Sequence, residues 1–405
     1  MAAALTVSKW VPSLLGQQAL STDGTGPLPE VALVGVGGYG AWHLRNLERL
    51  RQAGEARLAA ACDPIPAART AELGPVPVYG DLDELLARHR IDVTVIASPI
   101  PTHARLAATA LRAGTDVLLE KPPVTSSHEL SRLRALAAET GRSVQVGFQS
   151  LGSHALPALT ELIGSGALGA VTGIGGAGVW VRPFEYYRRA PWAGRRLLNG
   201  EAVVDGTLTN PFAHAVATAF AVAQTGSPER TPDGVEVELY RAHDIEADDT
   251  ACLRARFGGS AAVVVATTVC GPRDQDPYVV VHGEEGRAVL HYERDRLTVE
   301  SRESGTWRRT YGRTDLLEDL LAHVADGRST PLLAPLHRSG AFTAVVDAVR
   351  QAQEVRRVPP RYWRDDAGRN RVIHGIDEFV RRAAEDMALF SEQGIEWASG
   401  STSGE

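Results

Sequence analysis

The sequence predicts an α/β protein in two parts: an N-terminal doubly wound parallel sheet, then an α+β domain with a large, mostly antiparallel open sheet. Three observations predict it. The run Val31-Ala32-Leu33-Val34 leads directly into Gly35, Gly37, Gly38 and Gly40, a buried strand ending in a turn whose glycines permit close backbone approach before a helix starts. From Pro29 to about Ser150 short apolar runs alternate with helical patterns, the mark of βαβ units. From Val235 to Thr310 that alternation gives way to strand-like runs separated by turn residues, which build antiparallel sheet. At 405 residues the chain exceeds what one core usually supports. The division expected is a flexible leader over 1–28, a first domain over 29–150, and a second over 151–405 that includes C-terminal helices.

Taken in order, the expected strands of the first domain are Val31 to Gly35, Arg57 to Cys62, Val76 to Tyr79, Val93 to Ala97, Val117 to Leu119 and Val144 to Phe148. Helical patterns lie between them at Asp83 to Arg88, His103 to Ala113 and Ser127 to Thr140, the last with Ser126, Ser127 and Glu129 as cap candidates. Six strands with these crossovers make a Rossmann domain. In the second part, Gly258-Gly259 joins Leu253–Phe257 to Ala261–Thr267, and Gly283 to Gly286 joins Tyr278–His282 to Ala288–Tyr292, both reading as hairpins. Helices are expected at Asp315 to Ala325, Ser339 to Glu354 and Asp377 to Gln393, covering a sheet face or reaching back to the first domain.

Composition excludes several classes. A net charge of -7 leaves no basic excess to neutralise phosphates, so neither nucleic acid nor a membrane surface is an expected partner. No apolar run approaches the roughly 20 residues of a membrane helix. Cys62, Cys252 and Cys270 stand far apart with no CxxC and no histidine pairing, which fits free thiols in a reducing, cytoplasmic setting and no metal site. The apolar patch Trp10 to Leu15, broken by Pro12 and followed by the polar run Ser21 to Gly26, reads as a disordered leader or a misplaced start rather than a signal peptide.

Gly35, Gly37, Gly38, Tyr39 and Gly40 are therefore the expected pyrophosphate cradle of a nicotinamide cofactor, at the start of a helix. Asp63, at the end of the second strand, is placed to accept ribose hydroxyls and to repel a 2′-phosphate. NAD is expected over NADP, although Arg69 downstream is placed to reach a phosphate, and Asp63 alternatively just starts the Asp63-Pro64 turn. Ser98, Pro99, Thr102 and His103 follow the fourth strand at the carboxyl edge of the sheet, where the nicotinamide half would lie; His103 either touches cofactor or simply starts the next helix. Glu120 and Lys121 close the fifth strand at the same edge. A lysine partly desolvated beside a positive nicotinamide ring has a lowered pKa and suits acid/base work.

This glycine turn, Gly40-Ala41-Trp42-His43 opening the first helix, Tyr79-Gly80-Asp81-Leu82, Ile96 through His103, Glu120-Lys121-Pro122, and a second part rich in antiparallel strands together resemble the Gfo/Idh/MocA oxidoreductases over about Pro29 to Val349. The resemblance implies a Rossmann domain followed by an α/β domain whose open sheet walls the substrate cleft, sugar or inositol substrates, and Lys121 in the active site. One departure is clear. The family pattern has an aspartate followed four residues later by a histidine, whereas here Asp205 is followed by Thr209, and the histidine stands at 214. Asp205 and His214 are the expected heirs of that pair, with Thr209 and Asn210 as substrate ligands. Asn210 as N-cap and Pro211 in the first turn would place His214 at the positive end of a helix, favouring neutral imidazole. Alternatively Asn210 only caps and His214 packs between domains.

The cluster Phe184 to Arg196 holds Tyr187, Trp192 and Arg195, suited to stacking on a sugar and forking its hydroxyls or carboxylate, or equally to anchoring the loop or a subunit contact. Glu246, Asp248 and Asp249 lack a histidine at ligand spacing and read as a solvated turn. The function expected is an NAD(P)-dependent dehydrogenase or reductase acting on a secondary alcohol or ketone of a sugar, cyclitol or sugar-derived metabolite, with catalytic Lys121, Asp205 and His214. The alternatives are a redox-neutral NAD-dependent glycosidase and a nucleotide-sensing regulator. A homo-oligomer, dimer or tetramer, is expected because an open sheet face needs covering.

Overall fold

The structure, a computed structural model, describes residues 27–65, 73–259 and 261–399. Nearly all of the leader, including Trp10 to Leu15 and Ser21 to Gly26, lies outside the described residues, as does Arg69. The first sheet consists of β1 (Glu30–Val34), β2 (Arg57–Cys62), β3 (Val78–Tyr79), β4 (Val93–Ile96), β5 (Asp116–Leu119) and β6 (Val144–Val146). All pair in parallel, in the order β3-β2-β1-β4-β5-β6. The order reverses between β1 and β4, so the crevice for a ligand opens there, at the carboxyl ends of the strands. The strands read as unbroken apolar runs because helices cover both faces: every residue of β4 and of β5 is buried.

Helix ends follow local chemistry. Asp81 caps Leu82–Arg88 by accepting from the Glu84 N–H, and Ser126 caps Ser127–Thr140 by accepting from Glu129. The first helix, Gly40–Ala53, begins with no side-chain cap; its opening N–H groups bond the carbonyls of Gly37, Gly38 and Tyr39 in the turn before it.

The second sheet has nine strands. After β7 (Val171–Val179) and the small hairpin of β8 (Leu197–Leu198) and β9 (Glu201–Ala202) come β10 (Gly234–Arg241), β11 (Thr250–Arg256), β12 (Val263–Thr268), β13 (Tyr278–Gly283), β14 (Gly286–His291), β15 (Arg296–Ser301), β16 (Gly305–Thr310) and β17 (Arg356–Arg357). Their order is β16-β15-β14-β13-β7-β12-β11-β10-β17, antiparallel except for the β7–β12 and β10–β17 pairs. Both expected hairpins form. The central strand, β7, escaped the sequence reading because Val-Thr-Gly-Ile-Gly-Gly-Ala-Gly-Val carries four glycines in a strand interior, which propensity disfavours.

Those glycines record what packs on the strand. A Cβ at Gly178 would lie 2.3 Å from the Phe212 ring on one face, and a Cβ at Gly175 would lie 2.1 Å from the Ala384 carbonyl oxygen on the other. The first face receives the apolar helix Ala213–Ala223. The second receives Ile376–Asp386 and the segment that follows, with Ile376, Val380, Leu389, Phe390 and Trp397 closing over Tyr240, Cys252, Val264, Ala266 and Val280. The expected oligomer was argued from an open sheet face; on that face the segment from Ile376 to Ala398 packs over β10, β11, β12, β7 and β13. The expected helix Asp377 to Gln393 stops at Asp386, where Met387 turns left-handed with φ 55, and Phe390–Gln393 forms a separate turn.

The helix Leu316–Ala325 and the stretch after it reach back to the first sheet. Val146 donates to the Ala334 carbonyl at 2.8 Å, and the Gln145 amide bonds Ala334 N–H and the Asp319 carboxylate at 2.9 and 2.5 Å. Among the described residues no helix is long and apolar enough to cross a membrane.

Candidate active site

The glycine turn fits a phosphate ligand. A Cβ on Gly35 would lie 2.8 Å from the Ala97 carbonyl oxygen, and one on Gly40 would lie 1.9 Å from the Gly35 carbonyl oxygen, so these two positions hold β1, β4 and the first helix in contact. Gly38, at φ +53, has nothing within 4 Å of its would-be Cβ. Gly35 N–H bonds Cys62, Val36 N–H bonds Asp63, and Gly40 N–H bonds Gly37. The N–H groups of Gly37, Gly38 and Tyr39 have no partner among the described residues. Three free donors at the start of a 14-residue helix are what a pyrophosphate needs. Asp63 sits across this turn, its carboxylate accepting from Val36 N–H at 3.1 Å and, in the turn that it starts, from Ile65 N–H at 2.9 Å. Tyr39 lies half-exposed and stacks on Trp42, ring centroids 5.4 Å apart.

At the end of β4, Ser98 and Thr102 hydroxyls bond each other at 2.7 Å, and Thr102 also donates to the Pro99 carbonyl. His103 is fully buried, its two ring nitrogens 2.8 Å from the Pro122 and Ser98 carbonyls. Of its two expected roles the structure realises the bland one: His103 starts the helix His103–Arg112 and ties the β4 and β5 loops together, leaving no ring nitrogen for cofactor. Burial lowers its pKa. Glu120 is likewise engaged, accepting from the fully buried His43 ring at 2.9 Å and from Lys121 N–H at 3.2 Å. It is a brace between β5 and the first helix rather than an open cofactor ligand. His43, quoted above only for its place after the glycines, is the partner the sequence reading missed.

Lys121 Nζ donates to both oxygens of Asn210, the main-chain carbonyl at 3.0 Å and Oδ1 at 2.7 Å. Desolvation lowers the lysine pKa, as does Arg189, while Glu120 and Asp205 oppose the shift. Asn210 does not cap a helix as expected. The helix starts three residues later at Ala213, with Phe212 at the cap position, and the Asn210 amide turns instead to Asp205, Nδ2 to Oδ1 at 2.5 Å. Buried Asp205 also accepts from Gly194 N–H at 2.7 Å and from Arg189 at 3.1 and 3.2 Å. Burial raises its pKa against the pull of Arg189. Arg189 lies over the Tyr186 ring at 3.6 Å and the Trp192 ring at 4.5 Å. The structure thus joins Lys121, Asn210, Asp205, Arg189 and Trp192 in one cluster.

Thr209 corrects an expectation. It is fully buried and gives its hydroxyl to the Val204 carbonyl, so it braces the loop and is not a substrate ligand. His214 falls in the first turn of Ala213–Ala223, with Nδ1 buried and unpartnered. Burial, then the charges of Lys121 and Arg313, push its pKa down to about 3. The expected neutral imidazole is present, but burial rather than the helix dipole is its first cause.

Tyr187 and Arg195 part company with the cluster. They line a second cavity of ≈ 650 Å³ with Phe184, Arg188, Arg241 and His243. Tyr187 packs on His243 at 5.1 Å, and Arg195 pairs with Glu246 at 3.6 Å. Asp248 and Asp249 are no solvated turn: both are buried. Asp248 accepts from Thr207 N–H and hydroxyl at 2.7 and 2.8 Å. Asp249 lies 2.9 Å from His243 Nδ1, which also meets Cys270 Sγ at 3.4 Å, so one cysteine does have a histidine partner. His243 Nε2 accepts from Arg371 N–H at 3.3 Å. That puts the proton on Nδ1 and makes the trio a hydrogen-bonded brace.

The profile described as oxidoreductase family, NAD-binding Rossmann fold matches residues 30–148, and that of the GFO/IDH/MocA C-terminal domain matches residues 157–289. An inositol 2-dehydrogenase from Rubrobacter xylanophilus is 38% identical over 143 residues, 35% of this chain and 41% of that protein. A 1-carboxy-3-chloro-3,4-dihydroxycyclo hexa-1,5-diene dehydrogenase from Comamonas testosteroni is 31% identical over 141 residues, 34% of this chain and 36% of that protein. The chain thus spans about two-fifths of the length of these curated relatives. The WlbA dehydrogenase from Bordetella pertussis, solved with NADH and UDP-GlcNAcA, shares the fold at a TM-score of 0.65 with 20% identity, over 80% of this chain and 95% of that one.

Proposed function

Because the chain belongs to the GFO/IDH/MocA oxidoreductases, we propose that it is an NAD-dependent dehydrogenase or reductase acting on a secondary alcohol or ketone of a sugar, cyclitol or sugar-derived metabolite. The observation that carries the reading is Lys121: a lysine of lowered pKa at the carboxyl edge of a Rossmann sheet, held on Asn210, with an open glycine cradle on the strand two places away. Gly37, Gly38 and Tyr39 N–H groups would hold the NAD pyrophosphate and Asp63 the adenosine ribose; bound NAD supplies the hydride acceptor or donor. Lys121 takes the hydroxyl proton in oxidation and returns it in reduction. His214, with a pKa of about 3, is too weak a base near neutrality and serves as a hydrogen-bonding partner for substrate. Inositol 2-dehydrogenases among the relatives, and the nucleotide-sugar dehydrogenases among the fold neighbours, support the substrate class. The three free, buried cysteines fit a reducing compartment, and the cytoplasm goes with this reading.

The test is the nicotinamide absorbance change with NAD or NADP and a panel of sugars, inositols and their oxidised forms, with Lys121→Ala alongside. Turnover lost by 10²- to 10⁴-fold in the variant, about what general acid/base catalysis supplies, supports the assignment. Normal turnover in the variant refutes it.

A further inference from the structure

A lysine of suitable pKa has three tetrahedral positions on Nζ, and only the one that faces the substrate can exchange its proton. We propose that Asn210 is a positioning residue that occupies the other two, leaving a single N–H or lone pair of Lys121 for the substrate hydroxyl. The inference rests on Lys121 being the acid/base.

The geometry is specific. Nζ donates to Asn210 O at 3.0 Å and to Oδ1 at 2.7 Å. A neutral amine has two N–H groups and a lone pair, an ammonium three N–H groups. With two positions on Asn210 in either state, the lone pair of the amine and the third N–H of the ammonium fall in the same place. Oxidation then breaks the substrate O–H bond, forms the third Nζ–H bond and makes the C=O bond, while the carbon gives its hydride to NAD. Reduction reverses each change. Neither direction needs Lys121 to turn, which saves reorganisation at the reacting atoms.

Asn210 is itself fixed. Its Nδ2 donates to Asp205 Oδ1, and Asp205 is held by Arg189 and Gly194, so Oδ1 has to face the lysine. An amide takes up no proton near neutrality, so the proton stays on Nζ and does not pass to Asp205. Thr209, where the family pattern has its histidine, is buried with its hydroxyl on Val204 and offers no alternative relay. The charged and titratable groups around Nζ are Glu120 on its own strand end, His103 from the helix after β4, Asp205, Arg189 and, from the helix after Asn210, His214.

The experiment compares Asn210→Ala with the exchanged pair Asn210→Asp/Asp205→Asn, which keeps one donor and one acceptor between the two side chains. Lys121 titration is followed in the cofactor-free protein by the pH dependence of its modification with an acylating reagent, read by mass spectrometry of its peptide. Loss of Oδ1 in Asn210→Ala removes an acceptor that favours the ammonium, so the Lys121 midpoint moves to lower pH, and kcat falls about 10- to 100-fold with NAD affinity unchanged. The exchanged pair keeps an oxygen on Nζ and the bond between residues 205 and 210, so its midpoint stays at or above that of the unmodified protein and it keeps at least a tenth of kcat. An unchanged midpoint and kcat in Asn210→Ala, or an equal loss in both variants, overturns the proposal. Turnover surviving in Lys121→Ala would overturn the acid/base reading instead; the labelling midpoint reports on Asn210 even then.

Discussion

Phe390→Ala tests whether the C-terminal segment is a fixed layer of the fold. Phe390 is fully buried against Tyr240 and Trp397, ring centroids 6.1 and 5.8 Å away, in a turn anchored where Ser391 binds Glu238 and Glu392 pairs with Arg254. Truncating a buried phenylalanine costs about 3–5 kcal/mol, transfer and cavity together. Unfolding entropy runs near 2.1 cal/mol/K per residue, roughly 0.85 kcal/mol/K for a chain of 405 residues. The expected fall in Tm is therefore about 4–6 °C, read by scanning calorimetry. The residues of β12 alternate between the two faces, Val263 and Val265 on one, Val264 and Ala266 on the other. Phe390 packs on the face away from the helix that follows Asn210, so kcat and KM should hold within about twofold. A Tm change under 1 °C would mean that the segment does not pack there in solution. Light scattering adds an independent reading: the variant exposes apolar sheet and should self-associate more than the unmodified protein.

Three further outcomes are expected. Gly40→Ala drives a Cβ into the Gly35 carbonyl at 1.9 Å, with backbone on both sides unable to yield, so NAD affinity measured by fluorescence titration should fall at least tenfold while far-UV circular dichroism is kept. His214 is held neutral, its pKa of about 3 lying below the ordinary 6.5. The unfolded chain therefore binds the extra proton first, and the stability that neutrality contributes is present above pH 6.5 and lost progressively as pH falls towards 3. His214→Gln should raise Tm relative to the unmodified protein more at pH 4.5 than at pH 7.5; an equal effect at both would rule that out. For buried Asp248 the pKa is pushed up to about 6, by burial first, and the sign reverses. Its cost appears as pH rises from 3.8 through 6, so Asp248→Asn, which keeps an acceptor for Thr207, should gain Tm at pH 7.5 and nothing at pH 3.5, checked by thermal melts at both.

Much of the first sheet was legible because its signals are local. A strand that is apolar throughout can only be covered on both faces, and β2 and Ser127–Thr140 end where their residues predicted. The helix expected over Asp315 to Ala325 runs Leu316–Ala325, with Asp315 as its cap through Leu317 and Glu318 N–H. Where packing overrode propensity the reading failed. β7 is a strand because helices press on both its faces and only glycine leaves them room. Asn210 has the chemistry of an N-cap, yet a buried carboxylate five residues earlier and a lysine 89 residues away compete for its amide and win, since a charge-assisted bond is stronger than a cap.

By itself the sequence determined the βαβ order, the glycine turn, the lysine at the end of the fifth strand and the change to antiparallel sheet, each encoded within a few neighbouring residues. Only the tertiary structure decided that His103 and Glu120 are braces, that the Tyr187 and Arg195 side chains line the cavity beside His243, that a histidine stands beside Asp249, and that the segment from Ile376 to Ala398 covers the middle strands of the sheet's outer face. The physical reason is the same in each case: a polar side chain's role is set by which partner reaches it once water is excluded, and those partners lie far off along the chain.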